Sequence, residues 1–241
     1  MTEVVINTII GQPDGLSQYD VIQELVKLND SSITGIEYRL ELFNPDKMLE
    51  EIDEYLEIQE KTGWKHYLSV PEDFIIEDGI NPAFESFVKL TKKLNCDNVK
   101  LTIGNHEVIA DLNFESVKSL LDEANITLTL ENDQSETTGF AGTVKNVLNT
   151  LHNKGLAVGH TFDIGNWYIS GESIDKAYDL LKNEISFLHI KNIHEDHTTS
   201  LFTDGVADAP KYFGGYPAVI EYAMPKEVWA DEISQVVAAF K

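Results

Sequence analysis

Stretches with the two-residue period of a β-strand recur about every 30 residues in this chain, and helical patterns fill the gaps. Strands are expected at VVINTII (4–10), GIEYRLEL (35–42), KHYLSV (65–70), NVKLTI (98–103), ITLTLE (126–131), LAVGHTFD (156–163), ISFLHIK (185–191) and AVIEY (218–222). Helices are expected over 17–28, 45–61, 82–94, 113–124, 140–153 and 173–182, with a last one over about 226–240. Ser17, Asn44 before Pro45, Asn81 before Pro82, Asn113 and Ser173 can cap their starts. Parallel strands need crossovers of this length, so the rhythm restricts the chain to β/α architectures. Eight such strands predict a TIM (β/α)8 barrel, with residues 1–241 forming a single domain. The runner-up is a doubly wound open sheet. Its first turn would be expected to carry G-x-G-x-x-G, which IIGQPDG lacks. Between the last two strands, TTSLFTDGVADAPKYFGGYP is punctuated by Gly and Pro, so the seventh helix is expected to be degenerate.

Parallel strands covered on both faces usually read as unbroken apolar runs. These strands alternate instead. Leu128 and Leu130 oppose Thr127, Thr129 and Glu131; Ile36 and Tyr38 oppose Glu37 and Arg39; Val158 and Phe162 oppose Thr161 and Asp163. His189 and Lys191 share one face of ISFLHIK with Phe187. The apolar face would meet the helices. The other would line a barrel interior that becomes more polar toward the strands' C-terminal ends, where active sites of this fold lie.

Glu131, Asp163, His189 and Glu221 are expected together at that mouth, one from each of four successive strands. Three carboxylates at one point repel unless their pKa values rise or a cation sits among them. Oxygen donors with one imidazole suit a divalent metal ion, Mn²⁺ or Mg²⁺ first, with Co²⁺ or Zn²⁺ compatible. Each residue alone has a plainer reading: a loop Glu, a turn Asp, a hydrogen-bonded core His, and Glu221 paired with Lys191. The ordered set favours the metal.

The formal charge is −23, from 41 acids against 18 bases, which disfavours nucleic acid and anionic membrane surfaces as partners. No apolar run approaches a membrane span, and MTEVVINTII has no basic n-region or small-residue cleavage site. Cys96 is the sole cysteine, which excludes an internal disulfide and a cysteine-based zinc site and fits a cytoplasmic location. The composition leaves a homo-oligomer open.

The segments TLEND, FDIGN, FLHIKN and VIEY resemble those of the sugar phosphate isomerase/epimerase superfamily, the xylose isomerase-like TIM barrels. The resemblance rests on Glu131, Asp163, His189 and Glu221 in that order, and is strongest over about 126–222. It implies a metal-dependent sugar isomerase or epimerase acting on a small hydroxy-ketone or hydroxy-aldehyde, a sugar or sugar derivative. It further implies that Glu131 and Glu221 are acid/base catalysts as well as metal ligands, one removing a proton beside the carbonyl and the other returning one through an enediolate.

Three features depart from the family pattern. Asn166 stands where a His often follows the Asp, Asn192 stands where H-x-K is usually followed by Asp, and the seventh helix is missing. Substrate-contact candidates are Lys191, Asn166, Glu37, Arg39 and His106. The plain reading of Glu37 and Arg39 is that they pair with each other. His194 and His197 are expected at the surface, and Trp64, Trp167 and Trp229 in packing. Two rival readings stay open. IEYRLELF and an inward Lys100 also resemble type I 3-dehydroquinate dehydratases, which implies a metal-independent Schiff-base lyase. The other rival is a non-catalytic sugar-binding or regulatory barrel.

Overall fold

The computed structural model describes residues 3–240. Eight parallel strands close into a barrel in the order β1 (Val4–Asn7), β2 (Ile33–Arg39), β3 (Lys65–Ile76), β5 (Cys96–Gly104), β6 (Thr127–Glu131), β7 (Val158–Asp163), β8 (Ile185–Ile190) and β9 (Ala218–Ile220), with β9 pairing back onto β1. The two-residue β4 (Gly79–Ile80) folds back antiparallel on the end of β3 and lies outside the ring. The helices are α1 (Gln18–Leu28), α2 (Met48–Thr62), α3 (Phe84–Lys93), α4 (Glu115–Ala124), α5 (Ala141–Asn153), α6 (Ile164–Ile169), α7 (Ile174–Leu181) and α8 (Trp229–Ala239). None of the described helices is long and apolar enough to cross a membrane.

The register settles which residues look inward. Asn7 pairs with Glu37, Lys100 with Thr129, Glu131 with Thr161, Asp163 with His189, and His189 with Val219. In-register neighbours in a parallel pair share a face, so all of these point into the barrel. Their alternates Ile36, Leu128, Leu130 and Phe162 are fully buried against the helices. The N-terminal half of the interior is apolar, filled by Val5, Tyr67, Phe187 and Val219, with the Tyr67 and Phe187 rings 5.0 Å apart.

Several boundaries differ from the sequence-based expectation. β1 stops at Asn7 because the Asn7 side chain accepts the Ile9 N–H and starts a 3-10 turn that ends at Gly15, which is left-handed (φ 63°). β3 runs six residues beyond its expected end and enters the hairpin with β4. β7 is followed at once by the short α6, capped by Asp163, which periodicity had not marked. Ser17 and Ser173 cap α1 and α7 as expected. Asn44, Asn81 and Asn113 instead make turns just before their helices, each accepting the N–H two residues on.

No α-helix lies between β8 and β9; a 3-10 turn at Ala209–Tyr212 is the regular element there. The segment is nevertheless organised, and Asn192 is its knot. Its amide donates to the carbonyls of Phe202 and Ala207 and accepts from the N–H groups of Ile193 and Ala207. An aspartate could make none of the donated bonds. Gly205 packs against this amide so closely that a Cβ there would lie 2.2 Å from Asn192 Oδ1. Glu232 of α8 ties the segment down further, accepting from the Phe202 N–H and the Tyr222 hydroxyl.

Candidate functional site

Glu131, Asp163, His189 and Glu221 converge at the C-terminal mouth, each offering one ligand atom within 4.8 Å of the others. The first three are held by β6, β7 and β8, and Glu221 stands one residue past the end of β9. The cluster is nearly sealed, with Asp163 and His189 0% exposed, Glu131 5% and Glu221 6%. His189 Nδ1 lies 2.9 Å from Glu131 Oε1 and 3.2 Å from Glu221 Oε2. Yet none of these three buried atoms has a hydrogen-bond partner of acceptable geometry. Buried polar atoms are rarely left so. Three of them, facing one another from β6, β8 and the residue after β9, fit a shared cation.

Cations border the cluster. Lys100 Nζ lies 2.5 Å from Glu131 Oε2, and Arg39 Nη1 lies 2.7 Å from Glu221 Oε1. Each glutamate therefore has one oxygen tied to a cation and the other free toward the centre. Lys191 Nζ lies 3.2 Å from Asp163 Oδ2, 3.7 Å from Glu221 Oε2 and 3.1 Å from Asn166 Oδ1. It is the most exposed of the three, at 23% of its side chain.

Burial would raise the Glu131 carboxyl, but Lys100 and His189 outweigh it and hold it at about 2. Burial likewise opposes ionisation of Glu221, and Lys191, His189 and Arg39 hold its carboxyl well below the usual range. Asp163 goes the other way: burial, with Glu221 and Glu131 nearby, pushes it up to about 7 against the pull of Lys191. His189 resists deprotonation because Glu37, Glu221 and Glu131 overcome the effect of burial. A carboxyl kept from ionising beside an imidazole ringed by acids is an arrangement that a bound cation would relieve.

The remaining candidates fall in different places. Glu37 and Arg39 do not pair with each other. They share a face but lie one pleat apart, so Arg39 reaches Glu221 and Glu41 at the mouth. Glu37 sits deeper, 2% exposed, with Oε1 3.2 Å from His189 Nε2 and Oε2 accepting from Asn7 Nδ2 at 2.5 Å. It is turned onto the histidine rather than the opening. Asn166 is a bracket: its amide donates to the Asn132 carbonyl and accepts from Gln134 and Lys191, so its hydrogen-bonding groups are engaged within the protein. His106 opens a 3-10 turn after β5, half-buried, and makes no hydrogen bond or ion pair to the cluster among the described residues. His194 and His197 are exposed. Trp167 is fully buried against Phe162 and His160, in packing as expected.

Asn7 was not among the sequence-based candidates, because an asparagine ending a strand reads as a turn residue. The inward Lys100 is paired with Glu131. A cavity of about 630 Å³ lies at the opposite mouth, lined by residues including Glu3, Lys65, Tyr67, Phe187 and Phe240. Lys65 and the Tyr67 hydroxyl are both engaged by Glu3, and no carboxylate cluster like that of the C-terminal mouth lines it.

No protein-family model matches this sequence. No curated protein matches it either. Solved structures do. A probable 3-DHS dehydratase, AsbF, from Bacillus anthracis superposes with TM-score 0.75 at 13% identity over 98% of this chain and 99% of its own. The IOLI protein, solved with a bound zinc atom, gives 0.74 at 14% identity over 99% and 96%. An L-ribulose 3-epimerase gives 0.70 at 16% identity over 100% and 88%. At such identities the likeness establishes the fold alone, a TIM barrel.

Proposed function

We propose that this chain is a divalent-metal-dependent isomerase or epimerase that moves a proton on the carbon beside the carbonyl of a small hydroxy-ketone or hydroxy-aldehyde. The observation that carries the reading is the trio of buried, unpartnered atoms, Glu131 Oε1, His189 Nδ1 and Glu221 Oε2, beside Asp163. These four residues would hold the ion, Mn²⁺ or Mg²⁺ by their oxygen-rich character, with Zn²⁺ or Co²⁺ also accommodated. When bound, the ion supplies Lewis acidity that polarises the carbonyl and acidifies the neighbouring C–H.

The chain's own groups handle the proton. With Glu131 Oε1 and Glu221 Oε2 turned to the ion, the oxygens left to remove a proton and to return one are Glu131 Oε2 and Glu221 Oε1. Lys100 and Arg39 hold these two oxygens, which orients the pair but also weakens both as bases. Carboxylates of such low basicity need an acidified C–H, so the reading ties their work to the ion. Lys191, the most open of the three cations, would hold a substrate oxygen at the mouth. The near-complete burial of the cluster favours a small substrate and keeps water from quenching the intermediate. The similarity to an L-ribulose 3-epimerase and to a zinc-bound barrel supports the same reading.

Lys100 argues against the Schiff-base alternative. It is buried in contact with Glu131, and Glu131, Glu221 and Glu37 hold its amine protonated against the effect of burial. A protonated amine is no nucleophile. Borohydride trapping with a keto substrate is expected to leave Lys100 unmodified.

The decisive experiment is elemental analysis of the purified protein and of its Glu131→Ala and His189→Ala variants, paired with incubation of a sugar panel in heavy water. Divalent metal in the parent, lost in both variants, and deuterium entering a C–H beside a carbonyl are expected. A metal-free parent, or unchanged metal in both variants, overturns the site. Metal without any exchange points instead to a binding or regulatory barrel.

A further inference from the structure

We infer that Asn7 and Glu37 form a positioning relay that selects the tautomer of His189, leaving the Nδ1 lone pair facing the carboxylate cluster. The inference rests on the metal-site reading above. It concerns residues that neither hold the ion nor touch substrate in that reading.

The chain of reasoning starts at a backbone group. The Ile9 N–H donates to Asn7 Oδ1 at 2.9 Å as the first bond of the turn that ends β1. This fixes which way the Asn7 amide points, so the atom 2.5 Å from Glu37 Oε2 is Nδ2, a donor. Glu37 therefore accepts on Oε2, and its Oε1 faces His189 Nε2 at 3.2 Å. An ionised carboxylate only accepts, so Nε2 must carry the hydrogen. The neutral imidazole then presents its lone pair on Nδ1, the nitrogen that faces Glu131 and Glu221.

Burial makes the relay obligatory. Asn7 and His189 are 0% exposed and Glu37 is 2% exposed, leaving water little room to replace a missing partner. Three elements separated in sequence contribute: β1 and β2 are adjacent, and Glu37 reaches across the barrel to β8. A histidine that binds a metal through one nitrogen commonly gives its other N–H to a carboxylate, and loss of that partner costs about 10–100-fold in metal affinity.

Glu37→Gln is the sharpest test. A glutamine amide can donate to Nε2, which would move the hydrogen to Nδ1 and block the ligand. Asn7→Asp is the second variant. It keeps the acceptor for Ile9 and removes the donor to Glu37, so it guards against a folding defect peculiar to position 37. Mn²⁺ binding would be titrated by the electron paramagnetic resonance of the free ion, with Glu131→Ala as the control. The His189 tautomer would be read from two-bond ¹H–¹⁵N spectra of the Zn²⁺-loaded, imidazole-labelled protein. Expected are an Nε2–H tautomer in the parent, Mn²⁺ affinity about 10–100-fold lower in Glu37→Gln, and a smaller loss in Asn7→Asp, all with parental circular dichroism. If Glu131→Ala loses Mn²⁺ while both relay variants bind like the parent, the relay is wrong and the site stands. An Nδ1–H tautomer in the Zn²⁺-loaded parent overturns the relay on its own. If Glu131→Ala binds Mn²⁺ like the parent, the site reading fails and takes the relay with it.

Discussion

Lys100 is buried with its ammonium 2.5 Å from Glu131 Oε2, and the strength of that contact can be measured. Replacing it with methionine keeps most of the unbranched side chain and deletes the charge. Glu131 would then lose the largest influence that lowers its carboxyl pKa. Breaking a buried ion pair from one side costs about 3–5 kcal/mol, because the abandoned charge stays desolvated. Lys100→Met is therefore expected to lower stability by that order in urea unfolding at pH 7. The Lys100→Met, Glu131→Gln double variant is expected to recover much of the loss, since a neutral amide is cheaper to bury. A double variant no more stable than the single one would mean that Lys100 acts through packing instead. The same residue shows what one-dimensional reading can reach. Parity places Lys100 inside the barrel, but not at what depth. Depth decides its partner, and depth depends on the shear of the closed sheet. Glu37 and Arg39 illustrate the same limit: adjacent by parity, they serve different partners one pleat apart.

At the scale of elements, the eight strands were legible because each carries an apolar face for the helices and a polar face for the interior. The four residues of the cluster were legible for the same reason, as each falls on the inward parity near a strand's C-terminal end. What escaped were features set by side chain-to-backbone bonds. α6 forms because Asp163 accepts the Asn166 N–H and caps it, and β1 ends because Asn7 caps a turn. The segment that replaces the seventh helix is held by Asn192 and Gly205. Gly205→Ala forces a methyl group into the Asn192 amide and the Ser200 hydroxyl, at 2.2 and 2.4 Å. Such overpacking costs about 1–3 kcal/mol, or roughly 2–12 °C in melting temperature for a chain this long. Asn192→Asp removes two donated bonds inside the same knot and is expected to cost at least as much. Calorimetry of both variants checks this; melting temperatures at the parental value would show that the knot is dispensable. Neither change touches the four clustered residues directly, so Mn²⁺ affinity in the folded variants should stay within a few-fold of the parent.

At the scale of the whole molecule, two opposing electrostatic effects set how stability responds to acid. The net charge is −23. Self-repulsion among the acids eases only as carboxylates protonate, mostly below about pH 5. Two histidines act earlier. Burial lowers both His66 and His160 from 6.5 to about 4, and each sits inside the fold, His66 beside the Tyr38 hydroxyl and His160 bonded to the Leu130 carbonyl. Between about pH 6.5 and 4 the unfolded chain binds protons at these two positions that the native state refuses. The contribution of these two histidines to stability therefore rises with pH across that window, opposed by the single Asp163 carboxyl, which burial pushes up to about 7. The histidine contribution is fully present above about 6.5 and is lost as the pH falls toward about 4. Each histidine contributes a slope of up to about 1.4 kcal/mol per pH unit in the middle of the window. Urea unfolding at pH 7.5, 6.0 and 5.0 is expected to show falling stability although the net charge is shrinking. Replacing His160, which packs at 0% exposure between Phe162 and Trp167, by Leu should remove one of these two contributions and flatten the slope. A profile that is flat, or that rises toward pH 5, would mean that relief of acidic repulsion dominates even there and that these buried imidazoles are not what limits the barrel in acid.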